Sequence, residues 1–244
     1  MKSSNIKRAA WDSSEAPTRY RRGLYLSVTV IILAWCWTAT TSLWFQDDLA
    51  AIGETFWSLF NAAMIYGIVV LVIIWSLLRV TGDGAPAIGF TKRRLWGRLG
   101  FGVALGIAMF VLVTFFLHPV AAAIIPSSST DADLGRLLTN PWHLPFWIIL
   151  SIVKGGLSEE LWRAFSLDRF ERCFGRPGLV VAIVVGSLAF AMGHLYQGGD
   201  SVITAVVTSL IYAGVYIARR SAVEICAAHA IRDIVSVVVG YLIF

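Results

Sequence analysis

Long apolar stretches recur along the whole chain, and each is about 20 residues long, the length that a helix needs to cross a bilayer. Of the 244 residues, 57% are hydrophobic and only 14% are charged. A soluble domain could not cover so much apolar surface with so few charges. The sequence therefore predicts an all-α fold, a polytopic transmembrane helical bundle of about seven spans. We expect the spans at residues 23–45, 56–78, 99–125, 146–170, 178–196, 201–218 and 222–244.

The charges of the connecting segments alternate along the chain. Lys and Arg cluster in every second segment, namely in residues 1–22, 79–98, 169–176 and 219–220. The positive-inside rule then places the N-terminus in the cytoplasm. We expect a polar cytoplasmic tail, 1–22, and a transmembrane domain, 23–244. Because the net charge of +5 is explained by this topology, we expect the lipid bilayer and no nucleic acid as a partner, and a location in a bacterial cytoplasmic membrane.

Ionisable side chains inside the apolar stretches are the first candidates for function, since each costs several kcal/mol in hydrocarbon unless it has a partner. The first cluster contains Glu159, Glu160 and Arg163. On an α-helix Arg163 lies about 40° from Glu159 and about 60° from Glu160, so it can pair with either. The two glutamates differ by about 100°. We therefore expect one to face a polar cavity while Arg163 holds the other.

Two further clusters each place a histidine one helical turn from a partner. Phe190 and His194 are four residues apart in one predicted span, and His229 and Asp233 are four apart in the last. A carboxylate beside an imidazole fixes its tautomer, so we expect Asp233 to accept a hydrogen bond from His229.

The three clusters are more informative together than separately. If they form one site, Glu159 or Glu160, His194 and His229 should line a single cavity, with their side-chain ends within about 8 Å, so that one water or metal can touch them.

In this order, the clusters resemble the CPBP (Abi) family of intramembrane proteases, which includes the CAAX prenyl endopeptidases. That family carries a Glu-Glu pair followed by Arg, then Phe-x-x-x-His, then His-x-x-x-Asn or His-x-x-x-Asp. The resemblance covers about residues 140–240. The matching residues are Glu159, Glu160, Arg163, Phe190, His194, His229 and Asp233.

The first motif departs from the family pattern, because two residues and not three separate the glutamate pair from Arg163. If the glutamates are aligned, Glu159 and Glu160 are the family pair. If Arg163 is aligned, the pair falls on Ser158 and Glu159. Glu159 is a family glutamate in both alignments, and we expect it to be the general base.

The resemblance implies hydrolysis of a peptide bond in a membrane-associated peptide or protein. It assigns catalysis to Glu159, Glu160, His194 and His229, supported by Arg163, Phe190 and Asp233. In one version Glu159, His194 and His229 bind a divalent metal such as zinc; in the other, which we favour slightly, the histidines hold the water and stabilise the oxyanion without a tightly bound metal. Two alternatives stay open. A non-catalytic immunity or scaffold protein would tolerate the altered first motif. A transporter would show internal inverted repeats, and the sequence has none that we can recognise.

Overall fold

The computed structural model describes residues 18–44, 55–125, 137–138 and 140–243, and these residues form helices and turns without a strand. Most of the predicted tail 1–22 and of the connections 46–54 and 126–141 lies outside the described residues. We number the α-helices in chain order. They are α1 Thr18–Trp44, α2 Phe56–Thr81, α3 Leu95–Leu112, α4 His118–Ile124, α5 Leu144–Leu150, α6 Glu160–Met192, α7 Gly199–Arg219 and α8 Ala222–Ile243.

Two π-helices and three short 3₁₀ turns complete the described structure. The π-helices join α3 to α4 and α5 to α6, at Val113–Leu117 and Ser151–Glu159. The 3₁₀ turns are Ala85–Ile88, Pro141–His143 and Leu195–Gln197. The ends of α2 are set by its local sequence. The Thr55 side chain accepts a hydrogen bond from the Ser58 backbone, and Gly82 ends the helix in the left-handed conformation.

Helix α6 is a hairpin of two arms and not a straight rod. Gly175 has φ 64° and ψ −148°, which are not helical angles, and Pro177 follows. A straight helix would separate Arg163 from Phe190 by about 40 Å, yet the Arg163 guanidinium lies 4.8 Å from the centre of the Phe190 ring. The predicted spans 146–170 and 178–196 are therefore the two sides of this hairpin, and it brings the first and second sequence clusters together.

Five helical segments of the described chain are long and apolar enough to cross a membrane. They are Thr18–Trp44, Phe56–Thr81, Leu95–Ile124, Pro141–Met192 and Gly199–Arg219. The fourth contains the α6 hairpin. Helix α8 is not among them, and it carries Glu224, Arg232 and Asp233. The described part of the chain is thus all-helical and typical of an integral membrane protein, while seven spans and a cytoplasmic N-terminus stay predictions.

The outer surface of the bundle is apolar, as expected for helices that face lipid. Leu33, Trp37, Phe115 and Phe116 are each at least 60% exposed. In contrast, the first half of α8 is almost fully buried, including the polar residues Glu224 and His229. Helix α8 packs against α3, α5, α6, α7 and the π-helix Ser151–Glu159. It is therefore the central helix of the bundle.

The basic connections meet at one end of the molecule. Arg169 of α6 donates a hydrogen bond of 2.6 Å to Asp83, which follows α2. Arg220, after α7, pairs with Glu171 of α6. The backbone N–H of Ala222 donates to the carbonyl of Gly89 at 3.2 Å. Segments 79–98, 169–176 and 219–220 thus share one face of the bundle, although they are far apart in sequence.

Close contact between α3 and α8 depends on small residues, as is common where membrane helices pack. A Cβ added to Gly106 would lie 2.6 Å from the carbonyl oxygen of Ala228 and 2.8 Å from Cβ of Ile231. These residues flank His229 on α8. The spacing of α3 and α8 therefore also sets the position of His229.

We expect Gly106→Val to destabilise the protein by about 1–3 kcal/mol, because the new side chain has no room between α3 and α8. Gly100→Val is the matched control, since a Cβ on Gly100 meets no atom within 4 Å. Thermal unfolding of the purified protein in detergent measures the difference. Equal unfolding temperatures for the two variants would contradict the packing argument.

Candidate active site

Glu160 is fully buried and links α6 to α8. Its Oε1 lies 2.7 Å from Nδ1 of His229, which donates a hydrogen bond from α8. The same oxygen lies 3.4 Å from the guanidinium of Arg163. Because the carboxylate accepts at Nδ1, the other ring nitrogen of His229, Nε2, is left to face the remaining side chains. Glu160 is thus the carboxylate that Arg163 holds.

Glu159 points the other way, into a cavity of about 320 Å³. Its Oε2 lies 3.7 Å from Nε2 of His229. Its Oε1 lies 2.5 Å from the ammonium of Lys154. The expected division between the two glutamates is therefore present in the structure, with Glu159 facing the cavity and Glu160 held behind it.

His194 lies at the end of the second arm of α6 and lines the same cavity as Glu159 and His229. Its Nδ1 is 3.0 Å from the backbone carbonyl of Phe190. Since a carbonyl only accepts, Nδ1 carries the hydrogen in this arrangement and Nε2 is free to accept one. The Phe190 ring centre lies 4.7 Å from that of His194 and 6.5 Å from that of His229, so Phe190 lies near both imidazoles. Glu159, His194 and His229 thus line one cavity, while the expected separation of about 8 Å stays a prediction.

Asp233 differs from its expected arrangement. Its Oδ2 lies 3.5 Å from Nε2 of His229, while its Oδ1 accepts a hydrogen bond of 2.8 Å from Arg232. The carboxylate that fixes the His229 tautomer is Glu160, not Asp233, because it is Glu160 that reaches Nδ1. The angle of about 100° between adjacent helical residues would separate Arg232 from Asp233, but the long Arg232 side chain bends back to its neighbour.

Three further residues that line the cavity have no role assigned from the sequence. Tyr212 stacks on His229 with 5.5 Å between ring centres and 19° between planes. Lys154 and Arg232 also line the cavity. Lys154 stands out in the sequence as a charge within an apolar stretch, which is the signal that marks functional residues in membranes. The sequence does not reveal its partner, Glu159, because residues five apart on an α-helix differ by about 140°.

The predicted metal set, Glu159, His194 and His229, does not fit a divalent ion as these side chains stand. Among the described residues, no three His, Cys, Asp or Glu side chains form a group that could hold a metal ion. In addition, the Lys154 ammonium occupies one oxygen of Glu159, and its charge would repel a dication there. Zinc binding therefore stays an untested prediction.

The fold and the buried cluster define a helical membrane protein with a polar site in its interior. Residues 140–235 match the family model described as Type II CAAX prenyl endopeptidase Rce1-like. This part of the chain is therefore similar to the CAAX prenyl endopeptidases. The match covers less than half of the 244 residues but includes every predicted site residue. Comparisons with curated proteins and with solved structures gave no match.

Members of that family are described as endopeptidases. Within the first of the three motifs, the geometry favours aligning the two glutamates. Glu159 and Glu160 both contact site residues, whereas Ser158 is buried and donates to the Lys154 carbonyl at 2.7 Å. Arg163 reaches Glu160 despite the shortened spacing.

We expect Glu160→Leu to destabilise the protein by about 3–5 kcal/mol, because it leaves Arg163 and Nδ1 of His229 without their partner in the interior. Glu160→Gln should cost less, since its amide oxygen still accepts from Nδ1. Glu171→Leu is the control, because it breaks a half-exposed ion pair with Arg220, worth about 0–1 kcal/mol. Unfolding in detergent measures all three. A loss for Glu160→Leu no larger than that for Glu171→Leu would rule out this role.

Proposed function

We propose that the protein is an intramembrane endopeptidase that hydrolyses a peptide bond of a membrane-associated peptide or protein, with Glu159 as general base. The observation that carries the proposal is that Glu159, His194 and His229 line one cavity while Glu160 is buried behind it. The family match supports the reaction class. No feature of the site selects a prenylated substrate, so the substrate class is a peptide or membrane protein.

The side chains suggest a role for each group in hydrolysis. A water in the cavity donates one hydrogen bond to Nε2 of His194 and gives its proton to Oε2 of Glu159. The water oxygen then bonds to the carbonyl carbon of the peptide. His229, in its protonated form, donates from Nε2 to the oxygen that becomes negative.

Collapse of the tetrahedral intermediate completes the reaction. The C–N bond breaks, and Glu159 returns its proton to the leaving nitrogen. The products are a carboxylic acid and an amine, and Glu159 is again ionised. Glu160 and Arg163 do not line the cavity; Glu160 orients His229 by accepting from Nδ1, and Arg163 lies beside that carboxylate. Phe190 packs near Arg163 and the rings of both histidines.

We expect Glu159→Gln to lower cleavage by about 10²–10⁴-fold, because the amide cannot take the proton of water. Folding should be retained, since Gln still has an acceptor oxygen for Lys154. The assay uses purified protein and a quenched peptide library, with and without a chelator, and Glu171→Gln as the control. Full activity of Glu159→Gln would assign the base to another group. No cleavage by the wild-type protein would instead favour a non-catalytic protein on this fold.

We also propose seven spans in a bacterial cytoplasmic membrane, with the N-terminus in the cytoplasm. The meeting of the three basic connections at one end of the bundle supports this topology, since the positive-inside rule requires them on one side. The α6 hairpin and helix α8 supply the two spans beyond the five apolar segments.

Thiol labelling in intact cells tests this topology. In a variant whose three native cysteines are replaced, Ser3→Cys should react with a membrane-impermeant maleimide only after lysis. Asp48→Cys, in the acidic connection 46–54 between the first two predicted spans, should react before lysis. The reverse pattern would place the N-terminus outside.

A further inference from the structure

Lys154 forms an ion pair that the motifs of this chain do not predict. Its ammonium lies 2.5 Å from Oε1 of Glu159, and the two side chains are 28% and 9% exposed. Both line the cavity. An ionised carboxylate inside a membrane bundle is costly unless a cation is close, so this contact bears directly on the charge state of Glu159.

The π-helix Ser151–Glu159 explains how the two side chains meet. In a π-helix each N–H bonds to the carbonyl five residues earlier, so residues five apart lie about one turn above each other. Lys154 and Glu159 are spaced by five. On an α-helix they would diverge by about 140°. The π-helix thus places Lys154 beside Glu159.

The π-helix packs closely against α8 at two glycines. A Cβ on Gly155 would lie 2.6 Å from Oδ2 of Asp233, and one on Gly156 would lie 2.8 Å from Cβ of Ala230. Both glycines follow Lys154 directly. The close approach of α8 to the π-helix therefore places His229 and Asp233 beside the Lys154–Glu159 pair.

We propose that Lys154 is a positioning residue for Glu159, and that its ammonium holds this carboxylate in place, with Oε1 occupied and Oε2 turned to the cavity. The inference deepens the proposed function and rests on it for its catalytic half.

The charges around the cavity agree with this assignment. Three carboxylates each have a basic partner: Lys154 for Glu159, Arg163 for Glu160 and Arg232 for Asp233. The histidines that face the pair are His194 and His229. Removal of Lys154 leaves Glu159 as the one carboxylate of these three without a Lys or Arg partner, so its Oε1 loses the group that holds it in place.

The first experiment is independent of catalysis. Thermal unfolding in detergent is compared for the wild type, Lys154→Met, Glu159→Leu and the double variant, because substitutions of two side chains in contact have non-additive effects. The shift in unfolding temperature caused by Lys154→Met in the wild-type background should differ at least about twofold from the shift in the Glu159→Leu background. Lys92→Met is the matched control, since Lys92 is exposed in a basic connection, and its shift should be the same in both backgrounds. Equal shifts for Lys154→Met in the two backgrounds would overturn the proposal.

The second experiment measures cleavage and separates a charge effect from a structural one. We expect Lys154→Met to lower kcat by about 10²-fold with KM changed less than about threefold, and Lys154→Arg to recover part of the loss. Lys154→Ala leaves space where the side chain was, so added ethylammonium should restore activity in proportion to its concentration. Lys154→Met fills that space and should not respond.

The two experiments distinguish failure of the Lys154 inference from failure of the proposed function. Wild-type kcat in Lys154→Met, or a loss in Lys154→Ala that ethylammonium does not reverse, would overturn the positioning role. If the wild-type protein cleaves nothing, the proposed function has failed. The unfolding experiment then decides the ion pair alone, with non-additive shifts supporting it and additive shifts refuting it.

Discussion

The carboxylate of Glu160 holds the interior of this bundle together, because it accepts a hydrogen bond from His229 of α8 and lies beside Arg163 of α6. None of the three groups could remain buried alone, since an unpaired polar group in hydrocarbon costs several kcal/mol. Arg163 in turn lies over Phe190 and donates to Ser209 of α7. One buried carboxylate therefore fixes α7, α8 and both arms of the α6 hairpin relative to each other.

Charge matching explains why the cavity can hold so many ionisable groups. Each carboxylate of the site has a basic residue close by in sequence: Glu159 has Lys154, Glu160 has Arg163, and Asp233 has Arg232. Short sequence separation keeps the partners on one helical segment. His229 of α8 connects these segments, because it lies near all three carboxylates. Helix α8 can thus dock without bringing an uncompensated charge into the interior.

Close helix packing is the second requirement for bringing the site residues together. Gly106 lets α3 approach the α8 backbone at Ala228, and Gly155 lets the π-helix approach Asp233. Larger side chains at these positions would move α8 by more than the hydrogen bond at Nδ1 tolerates, since such bonds weaken beyond about 3.2 Å. The small residues are therefore part of the site, although they contribute no chemistry.

The sequence by itself determined the membrane helices and the candidate residues, because both depend on local properties. Hydropathy over about 20 residues marks a span, and a charge within such a stretch marks a functional position. Only the tertiary structure decided that Glu160 and not Asp233 reaches Nδ1 of His229, and that Lys154 pairs with Glu159. Those contacts depend on the hairpin at Gly175 and on the π-helix. Neither can be obtained from a uniform rotation of 100° per residue, because helix packing sets the local winding and brings distant segments together.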